Sequence, residues 1–450
     1  MPKIVADLGG LSQYPWVFTA FLLCQTVTVP IYGRLGDIYG RRKLFFVSIP
    51  IFLGASALCG LAQNMTELIV FRGIQGIGAG GVIPLAMATT AQIVPPRERG
   101  RYAALISSAF LGASILGPTA GGLIVDNASW RWIFYINLPI GALALLVIAL
   151  TMPRNEVYEK RRVDYLGAAL LAGATSSLLL ALLSVQPAAT GAAAVVVGTA
   201  FVVRTLRVPD PIVPVAVVRE RIVATGAIAT ALSVMCQFGA TAFVPLFAQG
   251  VLGVSATSSG IVLMPQTIAA VAATILSGQW VSRTGRYRGN ALLGPALTGA
   301  AMLLLAFMSI HTSPLEVGLF MALLGAGSGA MMQTFMVAAQ SAVPLASIGS
   351  ATSVIQFSRA IGTTVGVTIF GAIIDHGLPA SLRAHRAISH RLPPGAREAL
   401  AHAFQPAFLL GACLSAVVLA AVWVGLEERP LRGSIEEPSV AAVAPTPATE

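Results

Sequence analysis

The chain has 450 residues, of which 56% are hydrophobic and only 10% are charged, and its net charge is +10. Soluble domains carry about 25% charged residues, so this composition excludes a soluble protein and indicates one that crosses a membrane repeatedly. Loops at a membrane surface explain the positive charge, so nucleic acid is not an expected partner.

Thirteen apolar stretches are long enough to cross a bilayer, because a hydrocarbon core of about 30 Å takes about 20 helical residues. In chain order they cover 14–33, 44–62, 67–94, 101–125, 131–151, 164–184, 188–206, 222–248, 256–281, 290–310, 315–342, 349–375 and 404–426. The sequence therefore predicts an all-α polytopic membrane protein.

Lysine and arginine cluster in alternate connecting segments, which predicts the orientation of the helices, since short basic loops stay in the cytoplasm. The basic segments lie at 33–43, 97–101, 154–162, 204–221 and 283–288. We call the side on which they lie the basic end and expect it to face the cytoplasm. One long segment on the other side, 376–403, also carries four arginines, although long loops obey the rule less strictly.

Cysteine and histidine give no sign of a reactive centre. The four cysteines fall at unrelated positions inside apolar stretches and are Cys24, Cys59, Cys236 and Cys413. They predict neither a disulfide nor a metal site, and no motif predicts a cofactor. The five histidines lie outside the centres of the apolar stretches, so the sequence does not support an enzyme.

One short basic motif occurs twice. The stretch GRLGDIYGRRK, 33–43, recurs 245 residues later as GQWVSRTGRYR, 278–288. The matching pairs are Gly33 with Gly278, Gly40 with Gly285, and Arg41 with Arg286. Transporters are commonly built from such repeats, so we expect two similar halves; chance recurrence of basic glycine turns is the alternative.

The repeat also predicts the domain organisation. Two spans precede the motif in the second half but only one precedes it in the first, so we expect one helix to be missing at the start. The parent design then has fourteen spans, six in each half and two that link the halves. The predicted units are an N-terminal bundle without its first helix (1–151), a linker with two extra membrane helices (152–221), a C-terminal bundle (222–426) and a disordered cytoplasmic tail (427–450).

The first copy of the motif resembles the G-x-L-a-D-r-x-G-r-k loop of the major facilitator superfamily, specifically of its fourteen-spanner drug:proton antiporters. The matching residues are Gly33, Leu35, Asp37, Gly40, Arg41, Arg42 and Lys43. The resemblance implies the major facilitator fold and a gating loop that latches the halves in one state; a loop that only sets topology is the alternative. Glycine permits a tight turn, and Asp37 near a helix N-terminus can engage the dipole and nearby arginines. Ser282 replaces Asp37 in the second copy, which predicts a latch in the first half only.

The stretch LIVFRGIQGIGAG, 68–80, resembles the arginine-bearing fourth helix of the family through Arg72, Gln75, Gly76 and Gly78. An arginine inside an apolar span is costly unless it faces a cavity or a partner. The resemblance implies that Arg72 couples transport to proton movement, and snorkelling to the outer interface is the alternative. The run GIGAGG formally fits a nucleotide-binding pattern, but no strand precedes it, so we interpret its glycines as helix packing.

The stretch GASILGPTAGG, 112–122, resembles the antiporter motif of the family, g-x-x-x-G-P-x-x-G-G. The matching residues are Gly112, Gly117, Pro118, Gly121 and Gly122. The resemblance implies export rather than uptake, and a generic proline-kinked helix is the alternative. The stretch WRWIFYINLPIG, 130–141, matches the sixth helix of the same branch, and we expect Trp130 and Trp132 at the outer interface.

Candidates for the substrate pathway come from polar and aromatic residues near the bilayer midplane. The stretch SVIQFSRAIG, 353–362, resembles the corresponding segment of the branch and places Arg359 in a late span, either lining the pathway or in a structural pair. The other candidates, for each of which ordinary helix packing is at least an equal alternative, are Gln25, Gln237, Phe238, Gln266, Gln333 and Phe335.

The chain departs from the family in its acidic residues. Such antiporters usually need a membrane-embedded carboxylate, and the sequence shows none near a midplane. Glu67, Asp126 and Asp375 come nearest, and the coupling candidates are Arg72, Asp126 and Asp375. In the family this acid commonly lies in the first helix, so we expect that the missing helix explains its absence.

Together these features predict a proton-coupled exporter of amphipathic, often cationic, drugs or toxic metabolites in the cytoplasmic membrane of a bacterium. The predicted partners are a small-molecule substrate, protons and the lipid bilayer, with a periplasmic adaptor left open. A dedicated exporter of one antibiotic or metabolite is one alternative. A non-transporting membrane sensor or an inactive truncated transporter is another.

Overall fold

Helices make up all of the regular structure in the part of the chain that the computed structural model describes. The described residues are 7–8, 14–95, 98, 102, 105, 109, 113, 124, 129–152, 164–182, 186–254, 256–377 and 394–426. Within them, twelve helical segments are long and apolar enough to cross a membrane, which confirms the predicted all-α, multi-span architecture. The predicted span at 101–125 lies almost entirely outside the described residues.

The helices follow the order of the predicted spans. Those before residue 153, which we call the first half, are α1 (Tyr14–Tyr39), α2 (Arg41–Leu61), α3 (Met65–Ile93), α4 (Trp132–Tyr135) and α5 (Asn137–Thr151). Two linking helices, α6 (Tyr165–Leu182) and α7 (Pro187–Arg207), precede a short helix, α8 (Val215–Arg219). The second half consists of α9 (Arg221–Gly250), α10 (Ala256–Thr284), α11 (Arg288–Ala306), α12 (Pro314–Ser341), a 3₁₀ turn (Leu345–Ser347), α13 (Ile348–Gly377) and α14 (Pro394–Gly425).

The helices α3 and α12 begin with the same kind of cap. The side chain of Asn64 accepts a hydrogen bond from the Glu67 N–H at 2.9 Å, and that of Ser313 accepts one from the Glu316 N–H at 3.3 Å. Each glutamate in turn accepts a hydrogen bond from a backbone N–H just before its helix. These caps satisfy N–H groups that the first helical turn leaves unpaired and place negative charge at the positive end of the dipole.

The same two helices pack against their neighbours at equivalent glycines. A methyl group added at any of these glycines would overlap a carbonyl oxygen of the facing helix, so only glycine allows the close approach. The contacts pair Gly76 with Phe21, Gly80 with Gln25, Gly325 with Gln266, and Gly329 with Ala270. The facing residues in α10 lie 245 positions after those in α1, which is also the spacing of the sequence repeat. The repeat is therefore present in the packing as well as in the motif.

The basic motif is mostly helix rather than loop, which corrects the predicted boundary at residue 33. Helix α1 continues to Tyr39, and the chain turns at Gly40 alone, whose φ of 94° is unfavourable for other residues. The second copy turns at Gly285, with a φ of 68°. The extension of α1 carries the buried Arg34, which forms an ion pair with Asp210 at 3.7 Å. The helix continues past the apolar stretch because its charged residues have partners within the protein.

The linking helices lie at the edge of the bundle. Helix α7 buries none of its side chains, as expected for a helix that faces lipid along its whole length. Helix α6 buries one stripe, formed by Gly167, Leu171, Thr175 and Leu179. Asp164 joins the two helices, since its carboxylate accepts hydrogen bonds from the Gly167 N–H at 2.9 Å and from Arg204 at 2.8 Å.

The two tryptophans before α5 have different environments. Trp132 is 57% exposed, in agreement with its expected place at a lipid interface. Trp130 is buried and its indole N–H donates to Asp7 at 2.8 Å, so the expectation of an interfacial anchor is wrong for this residue. The Trp130 ring instead packs edge-on against Phe134 inside the first half.

Candidate transport site

The two halves are joined at the basic end by Asp37 of α1. Its Oδ1 accepts a hydrogen bond from the Gly349 N–H at 2.9 Å, and its Oδ2 accepts bonds from the Ser350 N–H at 2.7 Å and the Ser350 hydroxyl at 2.8 Å. Both N–H groups belong to the first turn of α13, where the helix dipole favours a negative charge. We call these contacts between Asp37 and α13 the latch.

Close packing surrounds the latch. A methyl group at Gly33 would overlap the Ser353 hydroxyl and lie 2.7 Å from the Gly349 carbonyl oxygen. Helices α1 and α13 therefore approach closely only because Gly33 and Gly349 lack side chains. A small apolar cluster of Ala88, Ala91 and Ile348 joins α3 to the same end of α13. The basic end is therefore closed between the halves at these contacts.

Two arginines of the motif bind to other helices of the first half, and one of them also lies beside Asp37. Arg41 is buried and donates to the Ala88 carbonyl and to the Gln92 side chain, both at 2.6 Å, while its other terminal nitrogen lies 3.4 Å from Asp37 Oδ1. Arg42 donates to the Ala149 carbonyl at 2.9 Å, near the C-terminus of α5. A cation near the last carbonyls of a helix is favourable, so Arg42 also stabilises α5.

A cavity lies between the halves, farther from the basic end than the latch. Its lining includes Met87 of α3 from the first half and, from the second half, Gln237 of α9, Gln333 and Phe335 of α12, and Arg359 of α13. Arg359 follows Ser350 by nine residues, which is about 13 Å along a helix axis. The cavity is thus deeper in the bundle than the latch and has contributions from both halves.

Known proteins match both the sequence and the fold of this chain. The sequence profile of the Major Facilitator Superfamily matches residues 1–367. The chain belongs to the Major Facilitator Superfamily. The multidrug transporter protein MdtP of Bacillus subtilis is 37% identical over 384 residues, which cover 83% of this chain and 71% of MdtP. Members of this superfamily are transporters and not enzymes, so the prediction that the chain is not an enzyme is confirmed.

Other comparisons agree with this assignment. The uncharacterized MFS-type transporter MT1926 of Mycobacterium tuberculosis is 36% identical over 391 residues, but the chain spans only 57% of its length. The crystal structure of the human organic anion transporter MFSD10 superposes with a TM-score of 0.62 over 89% of this chain and 83% of that chain, at 16% identity. At that identity the likeness establishes the shared fold alone.

Only some of the predicted pathway residues line the cavity of this superfamily member. Gln237, Gln333, Phe335 and Arg359 do, whereas Gln25, Phe238 and Gln266 are absent from its lining. Gln266 is instead buried in a pair with Thr241, to whose hydroxyl its side-chain N–H donates at 2.8 Å. Gln356 and the methionines at 87, 331, 332 and 336 also line the cavity and were not predicted. The run GAMMQTFM, 329–336, was the one available signal, since methionine is common on adaptable binding surfaces.

Arg72 is held inside the first half by three kinds of contact. Its terminal nitrogen donates to Gln75 at 2.6 Å, its Nε donates to the Val17 carbonyl at 3.2 Å, and its guanidinium lies 4.1 Å from the centre of the Phe21 ring. These partners lie in α1 and α3, so the guanidinium of Arg72 is bound between two helices of the first half. The guanidinium thus has hydrogen-bond and ring partners inside the protein.

The contacts of Arg72 extend into a polar network. The amide of the buried Gln75 donates to the Ser56 hydroxyl at 3.0 Å, and the Asn137 side chain donates to the same hydroxyl at 3.0 Å. Ser56 in turn donates to the Phe134 carbonyl at 2.9 Å. The network therefore connects α2, α3, α4 and α5 to the arginine, and hydrogen-bonded groups in such an apolar setting hold one another in place.

The acidic residues that the structure describes lie near helix ends. Glu67 caps α3, and Asp375 is exposed in the last turn of α13. Asp126 lies outside the described residues, as do the antiporter-motif residues Gly112, Gly117, Pro118, Gly121 and Gly122. Across the described ranges, no three His, Cys, Asp or Glu side chains come together as a metal site.

Proposed function

We propose that this chain exports amphipathic drugs or toxic metabolites across the cytoplasmic membrane of a bacterium, in exchange for protons, by alternating access. The observation that carries the proposal is the latch, in which one carboxylate of the first half binds the N-terminus of a helix in the second half. The efflux pump FUS6 of Gibberella moniliformis, which is 31% identical over 84% of the chain, supports export as the direction of transport.

In this proposal residues 1–151 and 222–426 move as two bundles, and 152–221 links them. Short basic loops stay in the cytoplasm, so the closed basic end faces the cytoplasm and the described state is closed to that side. Substrate enters the cavity when the latch opens, and it leaves on the opposite side when the latch forms again. The latch suits this role because its three hydrogen bonds can break without breaking a contact inside either bundle.

Arg72 is the coupling residue that the proposal favours. Its hydrogen bonds reach α1 directly and reach α2 and α5 through Gln75 and Ser56, so a change of charge beside it affects several helices at once. Asp375 is a weaker candidate because its side chain is exposed at a helix end.

Reconstituted vesicles with an imposed proton gradient test the proposal. The chain is inserted into liposomes that contain a pH-sensitive dye, and amphipathic compounds of both charges, ethidium and novobiocin among them, are added outside. We expect substrates to accelerate dissipation of the proton gradient and to accumulate against their own gradient, with both effects reduced by about tenfold or more in the Asp37→Asn variant.

The outcomes separate the proposal from its alternatives. Accumulation of one compound alone from a broad panel would replace it with a dedicated exporter. Binding without accumulation under any gradient would replace it with a membrane sensor or an inactive transporter. Accumulation that ignores the proton gradient would remove proton coupling. The Glu398→Gln variant is the matched control for Asp37→Asn, since it removes an exposed carboxylate at the other end of the bundle.

A further inference from the structure

The described lining of the cavity carries positive charge and no negative charge. Among the described residues that line it, Arg359 carries the single formal charge, and the remainder are apolar, hydroxyl or amide side chains. The second half contributes nearly all of these residues, with Met87 coming from the first. A cationic substrate would therefore find a like charge in this cavity and no carboxylate on the described lining with which to pair.

Arg359 has no acidic partner in the part of the chain that the structure describes. Its terminal nitrogen donates to the Met332 sulfur at 3.1 Å, and none of the described ion pairs includes it. The stretch 101–125 contains no Asp or Glu at all, so no acid of that span can neutralise it. A cation kept inside a membrane bundle is costly unless it pairs with another group, and such residues mark substrate pathways.

The groups beside Arg359 favour an anion with a bulky apolar body. The amides of Gln237, Gln333 and Gln356 line the same cavity and supply N–H donors. A carboxylate or sulfonate can accept hydrogen bonds from these donors. Phe335 and several methionines form the apolar part of the lining. Methionine side chains adapt to irregular shapes, so this part accepts apolar bodies of different form.

We infer that Arg359 binds the anionic group of the substrate, and that the exported compounds are amphipathic organic anions rather than the cations expected from the sequence. This inference rests on the proposed export function, because it assigns the cavity to the transported compound. It gives the guanidinium the direct role of binding substrate, and the three amides the role of orienting the anion.

A pair of ligands with one aromatic body and opposite charges tests the inference. Binding of 1-naphthaleneacetate and of 1-naphthylmethylammonium to the purified chain in detergent is measured by calorimetry. We expect the anion to bind the unchanged protein at least about tenfold more tightly than the cation, because a hydrogen-bonded charge pair in an apolar site supplies that much discrimination. Arg359→Gln should lose this preference, and Arg359→Lys should keep part of it.

Controls and a transport measurement keep the inference separate from the proposed function. Arg219→Gln removes an exposed arginine of the basic end and should leave both affinities unchanged. Equal or tighter binding of the cation, or an unchanged preference in folded Arg359→Gln, would overturn the inference even if the vesicles export ethidium. Anion binding that depends on Arg359 without any accumulation in vesicles would support the inference about the site and overturn the proposed function.

Discussion

Asp37 and Ser350 lie 313 positions apart in the sequence and in opposite halves of the molecule, yet two hydrogen bonds of 2.7 Å and 2.8 Å join them. The Ser350 N–H donates one and the Ser350 hydroxyl donates the other, so one residue of α13 donates two hydrogen bonds to the same carboxylate oxygen. Hydrogen bonds to a charged group are worth about 1.5–3 kcal/mol each. The contact is therefore strong enough to hold the basic end closed and local enough to be released.

The first prediction concerns the charge of Asp37. Asp37→Asn keeps the shape of the side chain but removes the charge that the N-terminus of α13 favours, so the open state should gain population. Spin labels at Tyr39 and Leu345, both exposed at the basic end, should show a longer distance distribution. Export should fall by about tenfold or more, since each broken charged hydrogen bond shifts the equilibrium by at least that factor. Unchanged distances in Asp37→Asn would remove the latch from the mechanism.

The second prediction concerns Gly33→Ala, a substitution that should open the basic end without changing any charge. Gly33→Ala places a methyl group against Ser353 and 2.7 Å from the Gly349 carbonyl oxygen, so α1 and α13 must separate. The same spin labels should report an opening, and adding Ser353→Gly should restore part of the short distance because it removes the nearest obstacle. Gly54→Ala is the matched control, since nothing lies within 4 Å of a methyl group there. Equal distances in Gly33→Ala and Gly54→Ala would contradict the close-packing argument.

The helices could be predicted from the sequence because their lengths and composition meet a requirement that the bilayer imposes on any spanning segment. The end of α1 could not, because Arg34 and Asp37 obtain their partners from Asp210 and α13, far away in the sequence. A charged residue marks the end of a span only where water is its best partner. Here the protein provides that partner, and the helix continues.

The candidate site shows a similar limit. Gln266 and Gln333 are the same residue type, and both lie in long, mainly apolar helices, so their sequences do not distinguish them. The structure pairs Gln266 with Thr241 and places Gln333 on the cavity. Which side of a uniformly apolar helix faces a cavity depends on how the helices pack, and no periodic pattern records it.

The third prediction concerns the network around Arg72. Arg72→Met preserves the length and apolar stem of the side chain but removes the hydrogen bonds that Arg72 donates to Gln75 Oε1 and to the Val17 carbonyl. We expect substrate-dependent proton movement in vesicles to fall by at least about tenfold, while substrate affinity for the cavity changes by less than about threefold. Arg72→Lys should retain more activity because it keeps the charge. Equal losses of binding and of proton movement would indicate that Arg72 supports folding and not coupling.

The fourth prediction separates the two glutamines. Gln333→Leu removes an amide from the cavity lining with little change in volume, so it should change the affinity for substrate by about three- to tenfold and leave the thermal unfolding temperature nearly constant. Gln266→Leu should do the reverse, since it breaks a buried hydrogen-bonded pair and lowers the free energy of unfolding by about 1 kcal/mol. Binding and thermal unfolding of the two purified variants are measured side by side. If Gln266→Leu alters affinity as strongly as Gln333→Leu does, the substrate occupies more of the second half than the described cavity, and the boundary between lining and packing residues must move toward α10.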